Sequence, residues 1–174
     1  MKLWNIFLTH NRPWTLREAA VFGSLLVIIS CMIWRMKRQG KISGSQALAG
    51  MLLAFFLTLV FASTVFTRVP AQRSYELVPF WSWQRVLACA DMDILQENLL
   101  NILLFVPIGI LLPLVSEKLR LRQVCLIGLG ISFLIELCQL VLCRGLFEWD
   151  DMIHNTLGCG AGFWIMGWRR RSRR

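Results

Sequence analysis

Five long runs of apolar residues dominate the chain and predict helices that cross a membrane. Each run holds about 16 to 21 residues, which is near the length that crosses a hydrocarbon core of roughly 30 Å at about 1.5 Å per residue. Of the 174 residues, 56% are hydrophobic and 17% are charged, which is more apolar than a soluble domain of this size. The sequence therefore predicts an all-α, polytopic transmembrane bundle of about five helices. The runs are residues 19–34, 46–66, 98–115, 124–143 and 152–168.

The first and last runs are the shortest, so each is either a full span or an interfacial or re-entrant piece. The basic residues stand between the runs rather than on one soluble face, which argues against a nucleic-acid partner. Lys and Arg number 7 on one side of the five spans and 12 on the other, and the richer side is expected to be cytoplasmic. The N-terminus is then outside and the C-terminus inside.

Three regions are expected along the chain. Residues 1–45 hold an aromatic and basic interfacial segment, the first span and a basic turn, residues 46–168 form a membrane domain, and residues 169–174 form a basic cytoplasmic tail. The segment before the first run lacks the apolar core of a signal peptide, so that run is expected to stay as an anchor. The six cysteines show no CxxC pair and no histidine at zinc spacing. No metal, cofactor or disulfide framework is therefore predicted.

The polar segment between the second and third runs, residues 67–97, contains a patch of aromatic residues around Pro79. Such a patch at the outer boundary either covers whatever opens there or seats the chain in the interface as an aromatic belt. The sequence favours neither alternative.

A carboxyl group lies deep inside the fourth run. Glu136 stands seven residues from the outer end, about 10 Å at the helical rise, and shares a helix face with Gln139. A charged carboxylate at that depth costs roughly 2.5 kcal/mol or more. Glu136 must therefore be protonated, paired or open to a wet cavity, and each option requires polar groups from another helix.

The fifth and third runs supply those groups. Asp151 and Asn155 share one helix face, as do Asn98 and Asn101. The short link from residue 144 to 150 makes the last two runs an antiparallel hairpin, so their polar faces are expected to meet near the outer surface. We expect a ligand-binding pocket that opens to the extracytoplasmic side. Its residues are Asn98, Asn101, Glu136, Gln139, Arg144, Asp151 and Asn155.

Two features of the hairpin have alternative interpretations. Arg144 is the only basic residue of the link, and a guanidinium fits a carboxylate such as Asp151, either to bind a ligand or to tie the hairpin together. Gly158 and Gly162 form a GxxxG surface that lets another backbone come close, either inside the bundle or between protomers of a homo-oligomer.

Glu136 and Asp151 are also candidates for acid and base catalysis, since burial and neighbouring charges separate the roles of paired carboxyls. No nucleophile, metal-ligand set or phosphate loop accompanies them. Ser132 has no histidine beside it, and His154 lies on a different helix face and is expected to be a polar boundary residue. An enzyme is therefore the alternative rather than the leading hypothesis.

Four blocks of the sequence are residues 75–80, 101–109, 136–139 and 151–158. In their order and approximate spacing they resemble the VanZ-like family. The resemblance covers about residues 46–168 and implies a small bacterial integral membrane protein of the cell envelope. The family's namesake is associated with low-level resistance to teicoplanin, and no enzymatic activity follows from the resemblance. This chain differs in an extra basic-flanked span before the shared region and in Ile108, where the family often has an aromatic residue. The positions of this chain that match the motifs of the family are Asn101, Pro107, Glu136, Gln139, Asp151, Asn155 and Gly158.

Together these features predict a binding protein of the cell envelope. The expected ligand is the headgroup of a lipid-linked cell-wall precursor or a lipoglycopeptide antibiotic, with membrane lipids as general partners. The alternative is a membrane enzyme that acts on a lipid-linked envelope precursor.

Overall fold

The structure, a computed structural model that describes residues 12–171, confirms the predicted all-α class. Five long helices form the bundle, and a short helix and two short strands lie in the connections within the described part of the chain. In chain order the elements are α1 (Leu16–Arg38), α2 (Gly44–Phe61, continued by a π-helix, Ala62–Phe66), β1 (Ser74–Glu76), α3 (Trp81–Cys89), α4 (Met92–Val115), α5 (Leu121–Leu142), β2 (Leu146–Glu148) and α6 (Trp149–Arg171).

Among the described residues, four helices are long and apolar enough to cross a membrane: α1, α2 with its π-helix, α4 and α5. The fifth predicted run forms α6, which is as long but carries Asp150, Asp151, His154 and Asn155 in its first two turns. The predicted interfacial segment around residues 4–8 lies outside the described residues, as do residues 172–174 of the predicted tail.

Side-chain caps set where the apolar helices begin. Thr15 and Glu18 form a capping box at the start of α1, and Ser43 and Gln46 form another at the start of α2. The Asp91 carboxylate accepts from the backbone N–H of Ile94 at the start of α4. Each cap satisfies N–H groups that have no partner within their helix. The three helices begin three, two and six residues before the corresponding apolar runs.

The closest packing in the bundle joins α4 to α6 through glycines. A methyl group on Gly158 would collide with the carbonyl oxygen of Ile102, and one on Gly162 with that of Val106. A methyl group on Gly109 would collide in turn with the carbonyl oxygen of Cys159. The GxxxG surface is therefore covered by α4 of the same chain, the first of the two arrangements that the sequence allowed.

Two three-residue strands connect the long polar segment to the hairpin between α5 and α6. β1 pairs with β2 in parallel, with Tyr75 opposite Phe147. This pairing places the segment that follows β1, including α3, over the start of α6. The sequence did not predict it, because three residues are too few to show a strand periodicity.

Replacing a packed glycine should separate α4 from α6. We expect Gly158→Ala to destabilise the fold by about 1–3 kcal/mol, because the added methyl group overpacks a backbone contact. The measurement is the thermal unfolding midpoint of the purified protein in detergent. Gly130→Ala is the matched control, since its Cβ would meet nothing within 4 Å. An equal midpoint for the two variants would contradict the proposed contact.

Candidate functional site

Asp150, the second residue of α6, accepts hydrogen bonds from the start of α3. One carboxylate oxygen accepts from Phe80 N at 2.5 Å, and the other accepts from both the N and the Oγ of Ser82, at 3.0 and 2.5 Å. Asn98 of α4 donates to the same Ser82 Oγ at 3.2 Å. Phe80 has a φ of 61°, a left-handed conformation that is unusual for a side chain of its size. Asp150 therefore caps α3 from a distant part of the chain.

Two tryptophans of α3 also bond to this end of the bundle. The indole N–H of Trp81 donates to Glu148 Oε2 at 3.1 Å, and that of Trp83 donates to His154 Nε2 at 2.8 Å. His154, which was predicted to be a polar boundary residue, is only 1% exposed at this polar end of the bundle. The aromatic residues around Pro79 thus cover the polar end of the bundle. This is one of the two interpretations that the sequence left open.

The two carboxyls singled out in the sequence lie in this same region. Glu136 of α5 is 1% exposed and accepts from the backbone N–H of Glu148 at 3.0 Å. Asp151 of α6 is half-buried and accepts from Asn101 Nδ2 of α4 at 2.6 Å. The charges of Glu136 and Asp151 act on each other. Three helices therefore bring their predicted polar faces together, as the helical spacing indicated.

Arg68, which the sequence reasoning missed, is a cation beside these carboxyls. Its charge acts on both Glu136 and Asp151. A methyl group on Gly145 would lie 2.9 Å from Arg68 Nη1 and 3.1 Å from Gln139 Oε1, so the guanidinium and the amide fill the space beside that glycine. The sequence feature that could have identified Arg68 is its position just after the second apolar run. This position is at the same predicted membrane boundary as Glu136 and Asp151.

Arg144 has a different role from the predicted one. Its guanidinium donates to the carbonyl oxygen of Phe66 at 2.5 Å, at the end of the π-helix, rather than to a carboxylate of the link. The helix end leaves carbonyls without partners inside the helix, and a guanidinium satisfies them well. Arg144 therefore connects the α5–α6 hairpin to α2, and the predicted pairing with Asp151 was wrong.

The two remaining predicted amides each use their nitrogen, but not their oxygen, in a hydrogen bond. Gln139 Nε2 donates to the carbonyl oxygen of Thr64 at 2.9 Å, and Asn155 Nδ2 donates to Ser132 Oγ at 2.8 Å. Their oxygens, Gln139 Oε1 and Asn155 Oδ1, are buried and have no hydrogen-bond partner among the described residues. Buried acceptors without a donor are unfavourable in a native structure, so they mark positions where a ligand's donor would be stabilising.

The cluster has a buried floor and a half-buried rim. Glu136, Gln139 and Asn155 are each at most 4% exposed. Asn101, Asp151, Arg68 and Glu148 are partly accessible. Within residues 12–171, no group of three or more His, Cys, Asp or Glu side chains is arranged to hold a metal ion. The cluster instead contains more hydrogen-bond acceptors, the carboxyl and amide oxygens, than the single guanidinium can satisfy.

A comparison with known families matches this region directly. The model of the VanZ/LLP1 family matches residues 47–170. The chain belongs to the VanZ/LLP1 family. Neither the curated proteins nor the solved structures give a significant match.

The four sequence blocks of this VanZ/LLP1 protein converge on the cluster. Block 75–80 supplies β1 and the Phe80 N–H that binds Asp150, and block 101–109 supplies Asn101 and the glycine contact of α4. Blocks 136–139 and 151–158 supply the carboxyls and amides of α5 and α6. Segments that are far apart in the sequence are therefore adjacent in the fold.

Removing the Asp150 carboxylate should release α3. We expect Asp150→Ala to destabilise the region by roughly 2–4 kcal/mol, because it leaves three donors of Phe80 and Ser82 without their acceptor. Hydrogen–deuterium exchange should show faster exchange across residues 80–89. Asp93→Ala removes an exposed carboxylate from the first turn of α4 and should leave that exchange unchanged. Equal exchange in both variants would show that Asp150 does not hold α3.

Glu148 should make stability depend on pH. Burial, reinforced by the Asp151 carboxylate, raises the pKa of Glu148 from its ordinary value of 4.5 to about 8. The folded state therefore binds the proton more tightly than the unfolded state, so this contribution is fully present below about pH 4.5 and is lost as the pH rises through about 8.

Glu148→Gln removes that proton equilibrium and keeps a side chain of similar shape. The unfolding midpoint should be measured in detergent at intervals from pH 5 to 9. We expect the midpoint of the wild type to fall relative to that of the variant across this range. A constant difference between the two proteins would contradict a raised pKa.

Proposed function

We propose that this VanZ/LLP1 membrane protein binds the headgroup of a lipid-linked cell-wall precursor or of a lipoglycopeptide such as teicoplanin, and thereby contributes to glycopeptide resistance. The observation that carries the proposal is the meeting of Glu136, Asp151 and Arg68 at one end of an apolar bundle. Glu136 lies inside α5, a candidate membrane span, where an ionisable group is costly and is commonly functional. Asp151 and Arg68 come from two other segments of the chain, which a simple helix–helix tie would not require.

The chemistry of the cluster favours a ligand with N–H donors. Carboxyls outnumber the single guanidinium, since Glu148 and Asp150 lie beside Glu136 and Asp151. Gln139 and Asn155 each present a buried oxygen with no donor among the described residues. Ammonium and amide groups satisfy such acceptors. Peptide-bearing cell-wall precursors and glycopeptides both carry these donors.

The proposal places the cluster on the extracytoplasmic side, in keeping with the distribution of Lys and Arg along the chain. Because Glu136, Gln139 and Asn155 are almost fully buried, a headgroup reaches them only when the covering segment moves aside. The half-buried rim of Asn101, Asp151 and Arg68 is the first surface that it meets. The aromatic residues of α3 would then contact the apolar part of the same molecule.

A lipid-precursor enzyme is the second candidate, and the interaction between the charges of Glu136 and Asp151 favours it. Two carboxyls in different environments can serve as acid and base on one substrate. Incubation of the purified protein with radiolabelled lipid-linked precursors, followed by chromatography, tests this candidate. A new labelled product that disappears with Glu136→Gln would favour the enzyme, and unchanged precursor would favour binding alone.

Neutral replacements of the two carboxyls test the binding proposal. In a teicoplanin-sensitive bacterial host, we expect the wild type to raise the minimal inhibitory concentration and Glu136→Gln or Asp151→Asn to return it to the host level. The physical reason is that the amide replaces one carboxyl oxygen, which can accept from the ligand's N–H groups, with an NH2 group that only donates, while side-chain shape is kept. Asp93→Asn, at an exposed carboxylate outside the cluster, is the control and should act as wild type.

The amount of each variant in the membrane is measured by quantitative immunoblot, so that a loss of resistance is not a loss of protein. If Glu136→Gln and Asp151→Asn both protect as well as wild type at equal abundance, the cluster does not bind the antibiotic or its target. No increase in resistance from wild type would reject the resistance role itself.

A further inference from the structure

A long apolar groove separates α1 from α2, away from the polar cluster. Its volume is about 560 Å³, within the range of small-molecule binding sites. On α1 it follows a single stripe from Phe22 to Met36, a rise of about 21 Å along the helix. Gly50 and Ala54 form part of its floor on α2. α1 contains no buried residue, so its contacts with α2 leave space between the two helices.

Contacts toward the ends of this groove keep the two helices in place. The rings of Phe22 and Phe66 meet edge to face with centroids 5.0 Å apart. Toward the other end, Ile33 lies over Gly50, where an added methyl group would come within 3.3 Å of Ile33 Cδ1. The groove between these contacts is open to the medium around α1 and α2, which for two membrane spans is the lipid bilayer. An acyl chain of a bilayer lipid is therefore the occupant that the surroundings supply to this groove.

One end of the groove opens beside a cluster of positive charge. Met36 and Ile42 line that end, and the turn between them belongs to a stretch, residues 35–41, that contains four basic residues and no acidic one. Lys37 reaches over the start of α2, since a methyl group on Gly44 would lie 3.8 Å from its Nζ. Arg38 stacks on the ring of Trp34, with its guanidinium carbon 4.7 Å from the ring centroid. These side chains are exposed.

We propose that the groove binds one anionic glycerophospholipid, with an acyl chain between α1 and α2 and the phosphate at the basic turn of residues 35–41. Basic clusters directly beside a membrane helix attract anionic lipids, and the groove adds a place for the chain of the same molecule. The bound lipid joins α1, which has few contacts of its own, to the remainder of the bundle. This site is separate from the polar cluster and does not depend on the proposed function.

Native mass spectrometry of the full chain in detergent tests the proposal, with dioleoyl phosphatidylglycerol and dioleoyl phosphatidylcholine as probes. The acyl chains are identical, so the comparison isolates the headgroup charge. We expect phosphatidylglycerol to bind at least tenfold more tightly. Lys37→Gln combined with Arg38→Gln should remove most of that difference, and Ala54→Phe, which fills the groove, should weaken the binding of both lipids.

Lys118→Gln combined with Arg122→Gln is the matched control, because it removes two exposed charges from another basic turn. It should bind phosphatidylglycerol as wild type does. Equal affinity for the two lipids in wild type, or an equal loss in both charge variants, would overturn the proposal. A dimeric mass that forms without added lipid and is lost with Ala54→Phe would also overturn it, because a second copy would then fill the groove. If Ala54→Phe does not fold, the two charge variants decide the question.

Discussion

The close approach of α4 and α6 is the contact on which the rest of the fold depends. In a membrane, helices gain little from hydrophobic burial against one another, so they associate through close packing and polar contacts. Gly109, Gly158 and Gly162 let the two backbones touch, and only glycine fits at these points. Gly128 of α5 leaves room for the side chain of Cys159 of α6. Because these helices lie so close, the short side chain of Asn101 can reach Asp151.

The polar end of the bundle shows two kinds of buried carboxyl. Asp150 accepts three hydrogen bonds and acts as a structural cap for α3. Glu136 accepts one, from the backbone of Glu148, although it is equally buried. A side chain whose burial is poorly compensated lowers stability, and natural proteins keep such features mainly at functional sites. This contrast separates the structural acid from the candidate ligand-binding acid.

Much of this architecture could be predicted from the sequence because the signals are local. The length of each apolar run predicted a helix, and the spacing of Glu136 with Gln139 and of Asp151 with Asn155 predicted the faces that meet. Arg68, Ser82 and Asp150 were missed, since their partners lie on other elements. The mistake over Arg144 has the same origin: its neighbours in the sequence are acids, but its neighbour in space is the carbonyl of Phe66.

The sequence by itself determined that the chain forms apolar helices and that several of them carry polar groups at one end. Both follow from residue type and helical period, which act over a few neighbouring positions. Only the tertiary structure decided that α3 covers that end and that Arg68 is the cation beside the carboxyls. The hydrogen bonds that hold α3 join residues 67 to 71 positions apart. No local pattern specifies such partners, because they are neighbours only in the packed bundle.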